Sequence, residues 1–290
     1  MSKQSLDHQG KDLSLVNCTV SGLLALVLTI PLHEFFHFAT DLIYGRDVIW
    51  FSAVAVQSGD NIDLMTLSSF HRIMLAGGSA SIINIIIGLV LFVIIINVSM
   101  GPMMRIFLTQ YMGMHLSVGF GYFMIGGMFG GFGDWGNVLG LFDESTVVIM
   151  RIVLAVIGSI GVVFTFFALN YMSYYFIKDP GDKSERFYVA LRLHLIPFIA
   201  SFAFAAIVDM NSILMKEGYV DAHPMFNILV RFMLIAFFWA FMFTWVMVKP
   251  PKKSRFLYPL VMEPQVVLWV VTAILLAIDL FVLAPGIRIS

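Results

Sequence analysis

Apolar residues run through this chain in blocks long enough to cross a bilayer, and polar residues gather in the short breaks between them. The blocks predict seven membrane-spanning helices, at about residues 16–44, 72–98, 106–131, 146–177, 187–210, 225–248 and 264–284. Pro250, Pro251, Lys252, Lys253 and Arg255 mark the clearest aqueous loop, and residues 178–186 mark another. One stretch has a different character. Asp47 to Ser58 is rich in β-branched and aromatic residues (Val48, Ile49, Trp50, Phe51, Val54, Val56) and closes on the turn signal Ser58-Gly59-Asp60-Asn61. It is expected as a strand or hairpin beside the membrane, with an amphipathic loop as the alternative. The fold class that follows is an all-α polytopic membrane protein of about seven transmembrane helices, with a short membrane-associated β-element after the first.

Composition agrees with this pattern and narrows the partners. The chain is 60% hydrophobic and 12% charged, with mean hydropathy +0.92, and a soluble domain carries about twice that charge. The lipid bilayer is therefore its first partner, and it is expected as an integral, multi-pass membrane protein. A net charge of −1 offers no basic surface for nucleic acid. Cys18 is the single cysteine, so neither a disulfide framework nor a cysteine zinc site can form within one chain. Met1 to Lys11 is polar and does not read as a cleaved signal peptide.

Inside the first apolar block, His33, Glu34, Phe35, Phe36 and His37 spell HExxH. On a helix, positions i and i+4 share a face. Two imidazoles so placed can bind one zinc ion, with Glu34 beside them as general base. A membrane helix excludes two histidines and a glutamate unless they have a task, satisfied packing between helices being the bland alternative. Helical rise sets the depth: roughly 25 Å separates Val16 from His33 and roughly 10 Å separates His37 from Tyr44. The site is thus expected below the surface on the side of the 45–71 loop.

Catalytic zinc usually takes three protein ligands. Asp134 is the favoured third. It follows Gly130, Gly131 and Gly133 at the end of the third block, by count on the same side as the 45–71 loop. The glycines suit close helix approach or irregular backbone covered by protein. Asp41, one turn after His37, is a rival ligand or supporting partner. His71 lies at a span edge, and His194 beside Arg192 falls near the opposite face. Glu263 and Asp279 look unrelated to zinc. His115 precedes Asp134 by about 28 Å along an unbroken helix and reads as a packing histidine.

In these features the chain resembles the site-2 protease family of intramembrane zinc metalloproteases. The matching features, in order, are His33-Glu34-Phe35-Phe36-His37 in a membrane helix, Gly45 before the β-element, Ala76-Gly77-Gly78 with Asn84 after it, and Gly133-Asp134-Trp135 about a hundred residues after HExxH. The likeness covers roughly residues 16–140. Phe36 stands where the family usually has glycine, and Gly78 where it has proline. Asn84 is displaced by about a turn, and Trp135 follows the aspartate in place of glycine.

The resemblance implies a three-helix zinc catalytic core over 16–140; a polar tail over 1–15 precedes it, and further transmembrane helices of unassigned role over 141–290 follow it. It implies one zinc per chain on His33, His37 and Asp134, and hydrolysis of peptide bonds in transmembrane segments with Glu34 as base. The substrate would be a transmembrane protein or peptide. The 47–58 strand, Val54 included, would receive it once unwound, by strand addition. Asn84 would hold the substrate backbone or a reaction oxygen, or make an ordinary interhelical hydrogen bond. Two other functions fit the same residues: a non-proteolytic membrane protein that keeps the fold, as a metal-binding chaperone or transporter, and a zinc hydrolase of a small or lipidic substrate. The intact Glu34 speaks against a pure metal holder. Ten lysines and arginines fall on the N-terminal side of the seven spans and five on the other, favouring a cytoplasmic N-terminus. The family resemblance implies the reverse.

Overall fold

The computed structural model of the chain describes residues 3–130, 133–216, 257 and 263–290. Helix α1 runs over Lys3–Tyr44 and carries Pro31 within it. The hairpin β1 (Val48–Phe51) and β2 (Val56–Ser58) follows. A 3-10 turn, Leu64–Thr66, leads to α2 (Ser69–Ile73), a π-type turn at Met74–Gly78 and α3 (Ser79–Asn97). Then come α4 (Pro102–Phe129), α5 (Gly133–Leu139) and α6 (Glu144–Ser173). Helix α7 (Lys183–Ala190) passes through a second π-type turn, Leu191–Leu195, into α8 (Ile196–Asn211) and the short α9 (Ile213–Lys216). The described chain ends with α10 (Val266–Ile278), a third π-type turn, Asp279–Leu283, and β3 (Ile287–Arg288).

Five of the described helical segments are long and apolar enough to cross a membrane, or six if α4 and α5, bent by 51°, are one span. Six of the seven expected blocks fall on these segments, and the block at 225–248 lies outside the described residues. Their surfaces suit lipid. Helix α6 turns Ile149, Ile152, Val153, Val156 and Ile160 outward, and only 11% of the apolar window at Val266–Leu283 is buried. With no water to serve exposed amides, a helix that satisfies its own backbone is the element lipid permits.

Helix α4 is the hub: α1, α3 and α6 all pack on it. Ala25 and Leu26 of α1, Ile95 of α3, Met112 and Leu116 of α4, and Phe166 and Leu169 of α6 form the central apolar cluster. Buried polar side chains pin the bundle. Gln110 Nε2 donates to the carbonyls of Cys18 at 3.0 Å and Leu193 at 2.9 Å, joining α1, α4 and the turn before α8. Arg151 donates to the carbonyls of Gly127 and Met128 at the C-terminus of α4, where helix carbonyls have no partner of their own.

The β-branched run at 47–58 does form an antiparallel hairpin, with Val48 opposite Ser58 and Phe51 opposite Val56. A third strand, not expected from the sequence, completes it: β3 pairs antiparallel with β1, so the order is β2-β1-β3 and β1 is central. Ile289 N and Ser290 Oγ extend this pairing to the carbonyls of Ile49 and Val48. The sheet is fastened to α1. Ser58 Oγ donates to Asp41, Arg46 Nη1 stands 3.7 Å from Asp41 Oδ1, and Phe38 meets the edge of Phe51.

Candidate metal centre

The helical spacing of HExxH sets its two histidines on one face of α1. His33 and His37 sit one turn apart on α1, ring centroids 5.0 Å apart. Asp134, in the first turn of α5, closes the group from the opposite side. Its Oδ2 lies 3.0 Å from His33 Nε2 and 3.3 Å from His37 Nε2. Ligand atoms of the three residues all fall within 4.8 Å of one another, and such a group can hold a metal ion.

Two backbone features place Asp134. Gly133 has φ 57°, a conformation natural to glycine, and a Cβ there would meet the Tyr122 ring at 2.8 Å. Gly77, in the π-type turn, has φ 139° and a closer constraint: its missing Cβ leaves the space that the backbone of Asp134 occupies. The Ala76-Gly77-Gly78 segment is thus the bed on which the aspartate rests. Trp135 packs edge-on against Phe123 behind it and is buried.

The donor set, two imidazoles and a carboxylate, is of the kind that holds a divalent cation. Bonds of about 2.0–2.2 Å at tetrahedral angles place ligand atoms roughly 3.3 Å apart, which the two Asp134 distances approach. His37 Nε2 is buried and has no aligned hydrogen bond despite its 3.3 Å approach to Asp134. One carboxylate oxygen flanked by two imidazole nitrogens is a donor set that a shared cation can occupy in place of protons. His33 is 2% exposed, whereas the side chains of His37 and Asp134 keep 14% and 18% of their surface. Access is therefore from the His37 and Asp134 side.

Glu34 is buried, and among the described residues it makes no hydrogen bond. The charged groups acting on it are His33, His37 and Asp134, together with Asp209 of α8. His33 is held from two further directions. Tyr122 stacks on it at 5.3 Å and 15°, and its Nδ1 lies 2.6 Å from Asn84 Nδ2. Asn84 is fully buried, also donates to the Ala80 carbonyl, and meets His115 Nδ1 through its Oδ1. Val54 sits in the hairpin turn and packs beside Ala53, Val208 and Ala284.

The rival ligands lie elsewhere. Asp41 is engaged by Ser58 and Arg46, His71 faces the Tyr44 ring, and His194 meets Ser173 Oγ at 2.7 Å. Sequence reasoning missed the contact of His115 with Asn84, and it missed Tyr122 and the seat that Gly77 gives Asp134. Only Gly77 left a signal, as part of a paired glycine before an apolar block.

No protein-family model matches this chain, and no curated protein or solved structure gives a significant match.

Proposed function

We propose that the protein is a zinc-dependent intramembrane endopeptidase, a divergent relative of the site-2 proteases, cutting peptide bonds in transmembrane segments. The observation that carries this reading is the convergence of His33, His37 and Asp134, with ligand atoms within 4.8 Å of one another and Glu34 next to His33 in an apolar helix long enough to cross a membrane. With residues 225–248 as a further crossing, the chain would have seven spans.

His33, His37 and Asp134 would hold the ion. Zinc when bound supplies a Lewis acid that polarises the scissile carbonyl and acidifies water. Glu34 takes the proton of the attacking water on its carboxylate and delivers it to the departing amide nitrogen. Its carboxylate, free of hydrogen bonds in the described structure, has both oxygens available for that transfer. A helical substrate hides its carbonyls in its own hydrogen bonds, so the segment must unwind. Strand β2, fastened to α1 through Ser58 and Asp41, offers replacement backbone partners along its outer edge.

The test is elemental analysis of the purified full-length protein, paired with cleavage of a transmembrane peptide in lipid–detergent micelles. About one zinc per chain and cleavage abolished by Glu34→Gln are expected. Wild-type protein that carries zinc but cuts no membrane segment would favour the metal-binding chaperone or transporter.

A further inference from the structure

Arg192 lies inside the bundle, in the π-type turn that leads into α8, and is 9% exposed. A guanidinium carries five N–H donors in a fixed fork. None of those of Arg192 makes a hydrogen bond among the described residues, and its Nη1 is buried without an acceptor. No carboxylate of the described residues forms an ion pair with it. Its one ring contact is with Tyr188, whose face it covers at 4.2 Å. Buried donors of a charged group are seldom left without an acceptor.

Neighbouring residues fix the depth of this charge. Gln110 Nε2 donates to the carbonyls of both Cys18 and Leu193, which sets Arg192 level with Cys18. Arg192 is also the charged group that acts on the Cys18 thiol. The apolar span of α1 begins at Leu15, so Cys18 stands about 4.5 Å inside it. That is the boundary between lipid headgroups and acyl chains. His33 lies roughly 22 Å further along α1, so Arg192 is at the other end of the bundle from the candidate metal centre.

A second buried guanidinium occupies the same end. Arg105 covers the Tyr175 ring at 4.2 Å and donates to the carbonyls of Ile95 and Val98. Tyr175 and Tyr188 pack on one apolar cluster, around Cys18, Phe176 and Leu193. Lys183 is exposed in the first turn of α7. Positive charge therefore gathers at this end, and Arg192 brings to it a complete set of unused donors.

We propose that Arg192 is a binding site for a phosphate-type oxyanion, supplied by the headgroup of an anionic membrane lipid. The guanidinium fork matches two oxygens of a phosphate, and the Tyr188 ring holds its plane. A charged side chain within a span marks a site with a task, and basic pockets between transmembrane helices take acidic headgroups. Depth favours the lipid as the source, because its phosphate already resides at this level whereas a soluble anion must leave water to reach it.

The experiment measures lipid retention by the full-length protein in native mass spectrometry, with phosphatidylglycerol competing against phosphatidylcholine. Unfolding temperature is followed in the same micelles, and inorganic phosphate without added lipid forms a separate arm. Wild type should retain phosphatidylglycerol in preference and unfold at a higher temperature with it. Charge-assisted hydrogen bonds are commonly worth about 10–100-fold in affinity, so Arg192→Gln should weaken retention by about tenfold or more. Arg192→Lys keeps the charge without the fork and should fall between the two. Lys183→Gln should behave as wild type. Stabilisation by inorganic phosphate alone, lost in Arg192→Gln, upholds the oxyanion site and makes its source a soluble anion. Equal retention of the two lipids by wild type, with no response to phosphate, needs no substitution and overturns the proposal. So does Arg192→Gln retaining phosphatidylglycerol as wild type does. A loss in Lys183→Gln equal to that in Arg192→Gln would reduce the effect to general surface charge and overturn it as well.

Discussion

Asp134 is seated directly against Gly77: a Cβ built on Gly77 would lie 2.7 Å from the Asp134 Cβ and 2.9 Å from its Cα and carbonyl oxygen. Two segments far apart in sequence thus meet backbone to backbone, and the third candidate ligand owes its place to a side chain that is absent. No rotamer change can relieve a clash with Cα and a carbonyl oxygen. The φ of 139° adds a conformation that residues with a Cβ avoid.

Gly77→Ala should therefore act at a distance on the metal. The backbone conformation alone costs on the order of 1–3 kcal/mol, and the collision must push α5 and Asp134 away from the histidines. Zinc content well below that of wild type, with a lowered unfolding temperature, is the expected result. Wild-type zinc content and stability in the alanine variant would show that the contact is slack.

Asp134→Ala removes the ligand outright. His33 and His37 remain, so weak binding persists while tight stoichiometric zinc is lost. Equilibrium dialysis against a chelator separates the two regimes. Undiminished retention by the variant would take Asp134 out of the ligand set.

Glu34→Gln tests the base. Glutamine keeps the shape of the side chain but cannot accept the proton, and general-base assistance is commonly worth about 10²–10⁴ in rate. The variant should hold one zinc per chain, keep its helical content and lose cleavage by that order. Near wild-type turnover would overturn the assigned role.

Much of this site was legible because its signals are local. His33 and His37 share a face by helical period alone, the apolar blocks predict the five or six described segments long and apolar enough to cross a membrane, and the β-branched run from Val48 to Val56 predicts a strand or hairpin. What stayed hidden depends on neighbours distant in the chain. Strand β3 pairs across more than two hundred residues, and nothing in Ile287-Arg288 announces its partner. Rise per residue along one unbroken helix sets His115 far from Asp134, but the helix breaks between Phe129 and Gly133, and the count is silent on the neighbouring α3, whose Asn84 bridges His115 to His33. Paired glycines at 77 and 78 signal close approach without naming what approaches.

Ser58→Ala should separate the sheet from the metal helix. It removes the hydroxyl that donates to buried Asp41 and leaves Arg46, at 3.7 Å, as the remaining partner. Loss of a hydrogen bond to a buried charged group costs about 1–3 kcal/mol. Because Asp41 lies one turn beyond His37 and outside the ligand group, zinc content should hold while stability and cleavage fall. Zinc loss parallel to cleavage loss would instead place Asp41 in control of the ligands.

The remaining prediction concerns how an unwound substrate is held. Central strand β1 is already paired on both edges, by β2 and β3, so it can accept no further strand. The outer edge of β2 carries no strand among the described residues, and it is the edge tied to the metal helix through Ser58. Exposed strand edges recruit extended chains by backbone hydrogen bonding. A proline at Val56, Gln57 or Ser58 deletes one backbone donor. Where that donor faces outward, cleavage should drop with zinc unchanged. Where it faces β1, the hairpin itself should loosen and stability should fall as well. Val54 lies in the turn against Val208 and Ala284, so Val54→Ala should cost stability and spare cleavage. Cleavage, zinc and unfolding temperature measured together across these variants give the answer: if every proline variant that keeps its zinc and its stability cuts at the wild-type rate, the β2 edge does not hold the substrate.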